Sequence, residues 1–335
     1  MNRPNLFILG APKCGTTAWH QYLGHHPDIA FCKAKEPHFF CEDFPNFRWA
    51  RNLNDYHKLF STLPKSKYIG EASVMYLFSE VAIKNIFEFN PNAKLLAFIR
   101  SPESFFISYH SQIHLSLDEL AEDPEAAWNL QETRKKGDQL PENCREPKFL
   151  QYQDVCRFGR QLARAREYFP ADQLKVILFE QWTKDPRATY IEVMQFLDLP
   201  DDGYSDFRQI NTKRKNRFRW LGQLVRRPPA SLLSIAAFIK KTLGLQRLGF
   251  ANLVRQFKEH DKRNHHQISE LCQTAIRDEL AEDRRLLESL LGYSIDSWPR
   301  SNQQLLSNTA RVTGCLLYTS PSPRDQRGSR MPSSA

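Results

Sequence analysis

Residues 5–24 read N-L-F-I-L-G-A-P-K-C-G-T-T-A-W-H-Q-Y-L-G, and they constrain the fold more than any other stretch of the chain. Leu6, Phe7, Ile8 and Leu9 are apolar without a polar alternation, the pattern of a strand buried on both faces of a parallel sheet. Ala18, Trp19, Tyr22 and Leu23 then recur at helical spacing until Gly24 and Pro27 end the run, with Thr16 and Thr17 as candidate caps at its start. Between strand and helix, Gly10 and Gly15 let the backbone curl. Successive N–H groups and the positive end of the helix dipole then converge on one point, an anion site.

A Walker A loop has the same glycine frame, but its lysine follows the second glycine. Here Thr16 holds that place and Lys13 lies inside the loop, where an ammonium would stand near a bridging phosphate oxygen. Residues 94–100 form a second buried strand, and it ends in Arg100 where a Walker B strand would end in a magnesium-binding aspartate. A cation there binds an anion directly, without metal. Pro102 opens a helix along which Ser108 falls two turns beyond the strand end, in reach of the same anion as Arg100.

A third buried strand covers residues 174–180, and helices are expected at 151–169, 185–197 and 268–291. Strands alternating with helices give an α/β domain, a parallel sheet in three layers with a P-loop-like core. That domain is expected to run from residue 1 to 299, with a polar lid or insertion at 117–150 and a helical cap at 218–262. From residue 300 to 335 the composition predicts disorder, and residues 315–335 resemble a translated adaptor or assembly junction rather than native sequence.

Two further segments carry candidate chemistry. Pro37 is expected to keep Glu36 out of helical geometry, so its carboxylate is either a general base beside the anion loop or a solvated glutamate next to two lysines, Lys33 and Lys35. His38 is the reserve candidate for proton transfer. Residues 67–73 read as a short strand leaving the sheet, with Glu71 and Ser73 at its end as acceptor-side candidates or as a helix cap.

The formal charge of +9 favours an anionic partner. Its densest part is residues 208–227, with Lys213, Arg214 and Arg217 at the centre and no acidic residue, read as a clamp over a terminal phosphate or as a solvated face. No nucleic-acid-binding signature accompanies it. Residues 228–257 are apolar over about half a bilayer span, which suits a packed cap or a peripheral membrane contact. Seven cysteines without metal-ligand spacing read as free thiols, and with the first strand so near Met1 the expected location is the cytoplasm.

Taken together, G-A-P-K-C-G-T-T at 10–17, K-E-P-H-F-F at 35–40, R-S-P-E-S-F-F-I-S-Y at 100–109 and N-T-K-R-K-N-R at 211–217 resemble the sulfotransferases that use 3'-phosphoadenosine 5'-phosphosulfate (PAPS). The likeness is strongest to bacterial members similar to heparan sulfate sulfotransferases. It implies that Pro12, Lys13, Cys14, Gly15, Thr16 and Thr17 cradle the 5'-phosphosulfate and that Arg100 and Ser108 bind the 3'-phosphate. It further implies that Lys213, Arg214 and Arg217 close over the nucleotide, with Glu36 as the base. The acceptor is then a hydroxyl of a glycan, a lipid or a secondary metabolite. Heparan-type relatives often carry a lysine after the glutamate of the Gly-Glu segment, where this chain has Ala72. Two rival readings are a magnesium-dependent nucleotide phosphotransferase and a non-catalytic basic protein that docks on membranes or nucleic acid.

Overall fold

The computed structural model describes residues 3–32, 34–142, 144–208 and 267–300, together with the backbone of 214–216 and 258–260. Strands β1 (Leu6–Gly10), β2 (Ile29–Phe31), β3 (Tyr68–Ala72), β4 (Lys94–Ile99) and β5 (Leu174–Leu178) form one parallel sheet in the order β2-β3-β1-β4-β5. Every residue of β1 and β3 is buried, as are Leu95 to Ile99 in β4, because flanking helices cover the sheet. This is the three-layer α/β fold that the apolar runs predict. Each fully buried leucine, isoleucine or phenylalanine in it contributes about 1.5–3 kcal/mol.

The flanking helices are α1 (Thr16–Leu23), α2 (Leu53–Lys58), α3 (Ala82–Phe89), α4 (Pro102–Ser116), α5 (Pro124–Asn129), α6 (Gln131–Lys135), α7 (Tyr152–Cys156), α8 (Phe158–Tyr168), α9 (Phe179–Lys184), α10 (Pro186–Phe196), α11 (Glu270–Glu279) and α12 (Ala281–Leu291). α1 packs toward α10 through Trp19 and Tyr190, whose rings stack 6.4 Å apart. Gly159 of α8 lies against the α12 backbone, where an added Cβ would come within 2.1 Å of the Asp283 carbonyl oxygen. The order of strands puts the crossover reversal at β1, so ligands belong beyond its carboxyl end.

Several local expectations change. Thr16 and Thr17 do not cap α1: Gly15 occupies the cap position in a left-handed conformation, and both threonines are already helical. The third strand stops at Leu178, and Phe179 and Glu180 open α9 instead. The helix expected over 268–291 is interrupted at Leu280, while Gly292 ends it with φ +76 as a left-handed cap.

The insertion at 117–150 is not irregular. It carries α5 and α6 and is fastened from inside, because the buried Arg134 donates to both oxygens of the buried Glu119 at 2.6 and 2.8 Å. The Tyr152 hydroxyl adds a third bond to Glu119 at 2.5 Å. Burial raises the Glu119 carboxyl, but these donors outweigh it and hold the group below its ordinary range.

Within the proposed helical cap, Lys258–His260 is a strand, β7, paired antiparallel with β6 (Arg214–Asn216). The rest of that cap, the 228–257 segment and the tail beyond residue 300 lie outside the described residues. Among the described residues no helix is long and apolar enough to cross a membrane.

Candidate active site

The site is built at the end of β1. Gly10 has φ +128, and a Cβ there would come within 2.2 Å of the Val74 carbonyl oxygen, so no side chain fits. The next residue ties the loop to the neighbouring strand: the Ala11 N–H donates to the Phe98 carbonyl of β4 at 2.5 Å. Lys13 then adopts φ +64, which costs a non-glycine residue backbone strain, and Gly15 at φ +87 turns the chain into α1. Among the described residues no side chain caps that helix, so its first amides open onto the loop. Pro12 and Cys14 are buried beneath the loop, and Lys13 is exposed above it.

Arg100 arrives from β4. Its guanidinium carbon stands 4.3 Å over the Phe179 ring, and its buried Nε has no hydrogen-bond partner among the described residues. Burial lowers the pKa of Arg100 while Cys14 and Glu180 oppose the change. The same guanidinium acts on the Cys14 thiol, which burial drives above its ordinary value, so Cys14 stays neutral. Ser108 and Gln112 stand one turn apart on α4, and Gln112 Oε1 lies 3.5 Å from Lys13 Nζ. The Ser108 face of α4 therefore looks at the loop.

The second half of the site hangs from β3, the strand on the other side of β1, where Ala72 is in register with Ile8. Glu36 donates its N–H to the Ala72 carbonyl at 2.9 Å, which places it one strand spacing from β3, on the side away from β1, and about two from the loop strand. Its carboxylate meets Lys35 Nζ at 2.5 Å and stands 3.8 Å from His38 Nε2. Partial burial raises the Glu36 carboxyl, but the His38 contact and the Lys35 ammonium outweigh it and bring the pKa to about 2. Burial lowers His38, against the pull of Glu36. Near neutral pH the pair is a carboxylate and a neutral imidazole. Glu36 is 38 % exposed and His38 only 3 %, so an incoming acceptor meets Glu36 with His38 behind it.

Lys13, Glu36 and His38 are three of the six non-glycine residues with positive φ among those described. A fold retains such backbone only where its surroundings impose it, and the other three, Leu117, Gln139 and Asp198, lie away from this loop pair.

Glu71 and Ser73 do not stand where the sequence suggests. Both are 0 % exposed, beneath the 36–40 loop rather than at an acceptor surface, because the side chains at the end of β3 turn into the core. Burial raises the Glu71 carboxyl to about 7 despite hydrogen bonds from Tyr76, Ser73 and Tyr56. Lys213 and Arg217 lie outside the described residues, and of Arg214 only the backbone in β6 is described.

Sequence reading missed Gln112, Phe179, Glu180, Trp182 and Trp298. Trp182 packs on the loop so closely that a Cβ on Gly15 would lie 2.2 Å from its ring. Glu180 accepts from the Ser101 N–H at 3.0 Å and from Trp298 Nε1 at 2.9 Å, tying the 298 region to the residue after Arg100. A usable signal existed: residues 179–182 follow a buried strand, and ligand-facing groups of open sheets gather there.

This arrangement can be compared with known proteins. The family model described as "Sulfotransferase domain" matches residues 3–227. The chain is 34 % identical over 113 residues to the membrane-associated sulfotransferase kil1 of Dictyostelium discoideum, covering 33 % of this chain and 23 % of that protein. It is 29 % identical over 218 residues to the bifunctional heparan sulfate N-deacetylase/N-sulfotransferase 3 of Homo sapiens, covering 61 % and 23 %. To the heparan sulfate glucosamine 3-O-sulfotransferase 5 of Mus musculus it is 25 % identical over 200 residues, covering 59 % and 54 %. The matches thus span from about a quarter to about half the length of these relatives. A crystal structure of a sulfotransferase from Alicyclobacillus acidocaldarius shares the fold, with a TM-score of 0.64 at 23 % identity over 89 % of this chain and 99 % of that one. With the glycine loop, the strand-end arginine and a domain match over residues 3–227, the chain belongs to the sulfotransferase domain family.

Proposed function

We propose that the chain moves a sulfuryl group from PAPS to an acceptor hydroxyl, by in-line displacement, on a glycan, a lipid or a secondary metabolite. The observation that supports it most is the pairing of an anion loop with Arg100 at the end of β4, where a metal-binding nucleotide site would carry a carboxylate. The residues fit an anionic donor. Arg100 Nε and Trp182 Nε1 are buried donors without partners among the described residues, and both border the loop.

The bound donor supplies an electrophilic sulfur and a bisphosphate leaving group. Lys13 and the first amides of α1 hold its 5' side, and Lys13 offsets negative charge that develops on the leaving oxygen. Arg100 and Ser108 hold the 3'-phosphate. The family likeness assigns the closing contacts to Lys213, Arg214 and Arg217. Glu36 takes the acceptor proton as the new oxygen–sulfur bond forms. Glu36 is ionised at neutral pH, so its carboxylate has an oxygen able to take that proton. His38 stands behind as the second proton acceptor.

Calorimetric titration with adenosine 3',5'-bisphosphate tests this reading without an acceptor. Wild type should bind without metal, and Arg100→Ala should weaken binding by roughly 10- to 150-fold, the loss of charge-assisted hydrogen bonds worth about 1.5–3 kcal/mol. Lys13→Ala should weaken it as well, and ATP with magnesium should not compete. A wild-type protein that ignores the bisphosphate and binds ATP with magnesium would sink the reading.

A further inference from the structure

The groups beneath the base loop form one directed hydrogen-bond system. Ser73 Oγ donates to Glu71 Oε1 at 2.7 Å, and the Tyr76 hydroxyl donates to Glu71 Oε2 at 2.6 Å. Each of these hydroxyls also receives a backbone N–H of the loop. His38 N–H donates to Ser73 Oγ at 2.9 Å, and Phe40 N–H approaches the Tyr76 hydroxyl at 3.5 Å. Tyr56 adds a longer bond to Glu71 Oε2 at 3.3 Å; among the described residues its hydroxyl makes no hydrogen bond to the loop, which it meets through ring contacts with Phe39 and Phe40.

The direction of these bonds follows from elementary chemistry. A hydroxyl has one hydrogen to give and lone pairs to receive with, while an ionised carboxylate, the form Glu71 takes above about pH 7, only accepts. Glu71 takes the hydrogens of Ser73 and Tyr76, so their lone pairs are left facing the amides of His38 and Phe40. Those amides belong to the segment in which Glu36 and His38 sit at φ +65 and +50. We infer that Glu71 is a positioning residue: it fixes the hydrogens of Ser73 and Tyr76 and thereby holds the strained loop that presents Glu36 and His38. This rests on the sulfuryl-transfer reading for its effect on turnover, and on geometry alone for its effect on the loop.

The groups around Glu71 come from several elements: Tyr56 on α2, Tyr76 and Ser73 after β3, Cys32 after β2, Cys41, and the Lys35 ammonium. Lys35 is the cation among them, and it is already engaged with Glu36. A carboxamide at position 71 would bring two donors into this cage, so Ser73 or Tyr76 would have to turn its hydrogen toward the loop amide.

The test compares wild type with Glu71→Gln, Ser73→Ala, Ser73→Thr and Tyr56→Phe in three measurements. These are bisphosphate affinity by calorimetry, kcat and KM for conversion of PAPS to the bisphosphate with water as acceptor, and hydrogen exchange of the His38 amide. Glu71→Gln and Ser73→Ala should lower kcat at least tenfold and speed His38 exchange at least tenfold, with KM and bisphosphate affinity within about twofold. Ser73→Thr should restore most of both, and Tyr56→Phe should stay within about threefold of wild type. Should Glu71→Gln fail to fold, Ser73→Ala and its threonine rescue decide the matter. Unchanged His38 exchange in Ser73→Ala, or equal losses in Glu71→Gln and Tyr56→Phe, would overturn the inference. Absent bisphosphate binding in wild type would instead strike the sulfotransferase reading, and the exchange data would still judge the loop.

Discussion

Replacing Gly15 by alanine perturbs the anion loop through two separable effects. At φ +87 an alanine sits in the left-handed region, which costs an L-residue about 1–2 kcal/mol. The methyl would also stand 2.2 Å from Trp182 Cζ2, far inside contact distance. Trp182 cannot simply swing away, because its ring packs edge-on against Trp19 at 6.1 Å and Phe179 at 5.2 Å. Overpacking of this kind costs about 1–3 kcal/mol more, for a total of about 2–5 kcal/mol. Gly137 isolates the first effect: its φ is +89, and an added Cβ there meets nothing within 4 Å. Any gain from a stiffer unfolded chain applies to both substitutions and cancels in their difference. Urea unfolding at unchanged slope should therefore place Gly15→Ala about 1–3 kcal/mol below Gly137→Ala. Because Phe179 also carries Arg100, only Gly15→Ala should lose bisphosphate affinity. Equal costs at the two positions would refute the argument that Trp182 closes against the loop.

Two further outcomes follow from buried carboxylates. Glu71 is raised from 4.5 to about 7, so its contribution to stability is full below pH 4.5 and is lost as pH rises through about 7. The wild type should lose about 3 kcal/mol across that window relative to Glu71→Gln, read from urea midpoints at pH 4.5 and 8; parallel stabilities would contradict the raised value. Arg134→Met should cost about 3–5 kcal/mol by stranding the buried Glu119 carboxylate, and a loss under 1 kcal/mol would show that the insertion does not depend on that pair.

Much of the fold was legible because its signals are local. The apolar runs of β1 and β4, the glycines at 10 and 15 and the proline at the start of α4 each act through neighbouring residues, and each stands where the pattern indicated. Boundaries were less legible. Leu280 interrupts the last helix, and β5 ends at Leu178, because periodicity does not register where packing stops a segment.

For the site, the chain by itself determined the chemical types: a lysine inside a glycine loop, an arginine ending a buried strand, and a glutamate before a proline, which the fold holds at φ +65 rather than in the extended conformation that the proline suggests. Those follow from backbone conformations that single residues allow or forbid. Only the tertiary structure decided which groups stand at the surface of the loops and which are buried beneath them. Lys13 reaches Gln112 across 99 positions, and Trp298 reaches Glu180 across 118. Glu71 is the sharpest case: one glutamate among many in sequence, it is a buried acceptor only because Tyr56, Ser73 and Tyr76 arrive around it from a separate helix and from the end of its own strand. Burial and hydrogen-bond direction are properties of that assembly, and no local pattern encodes them.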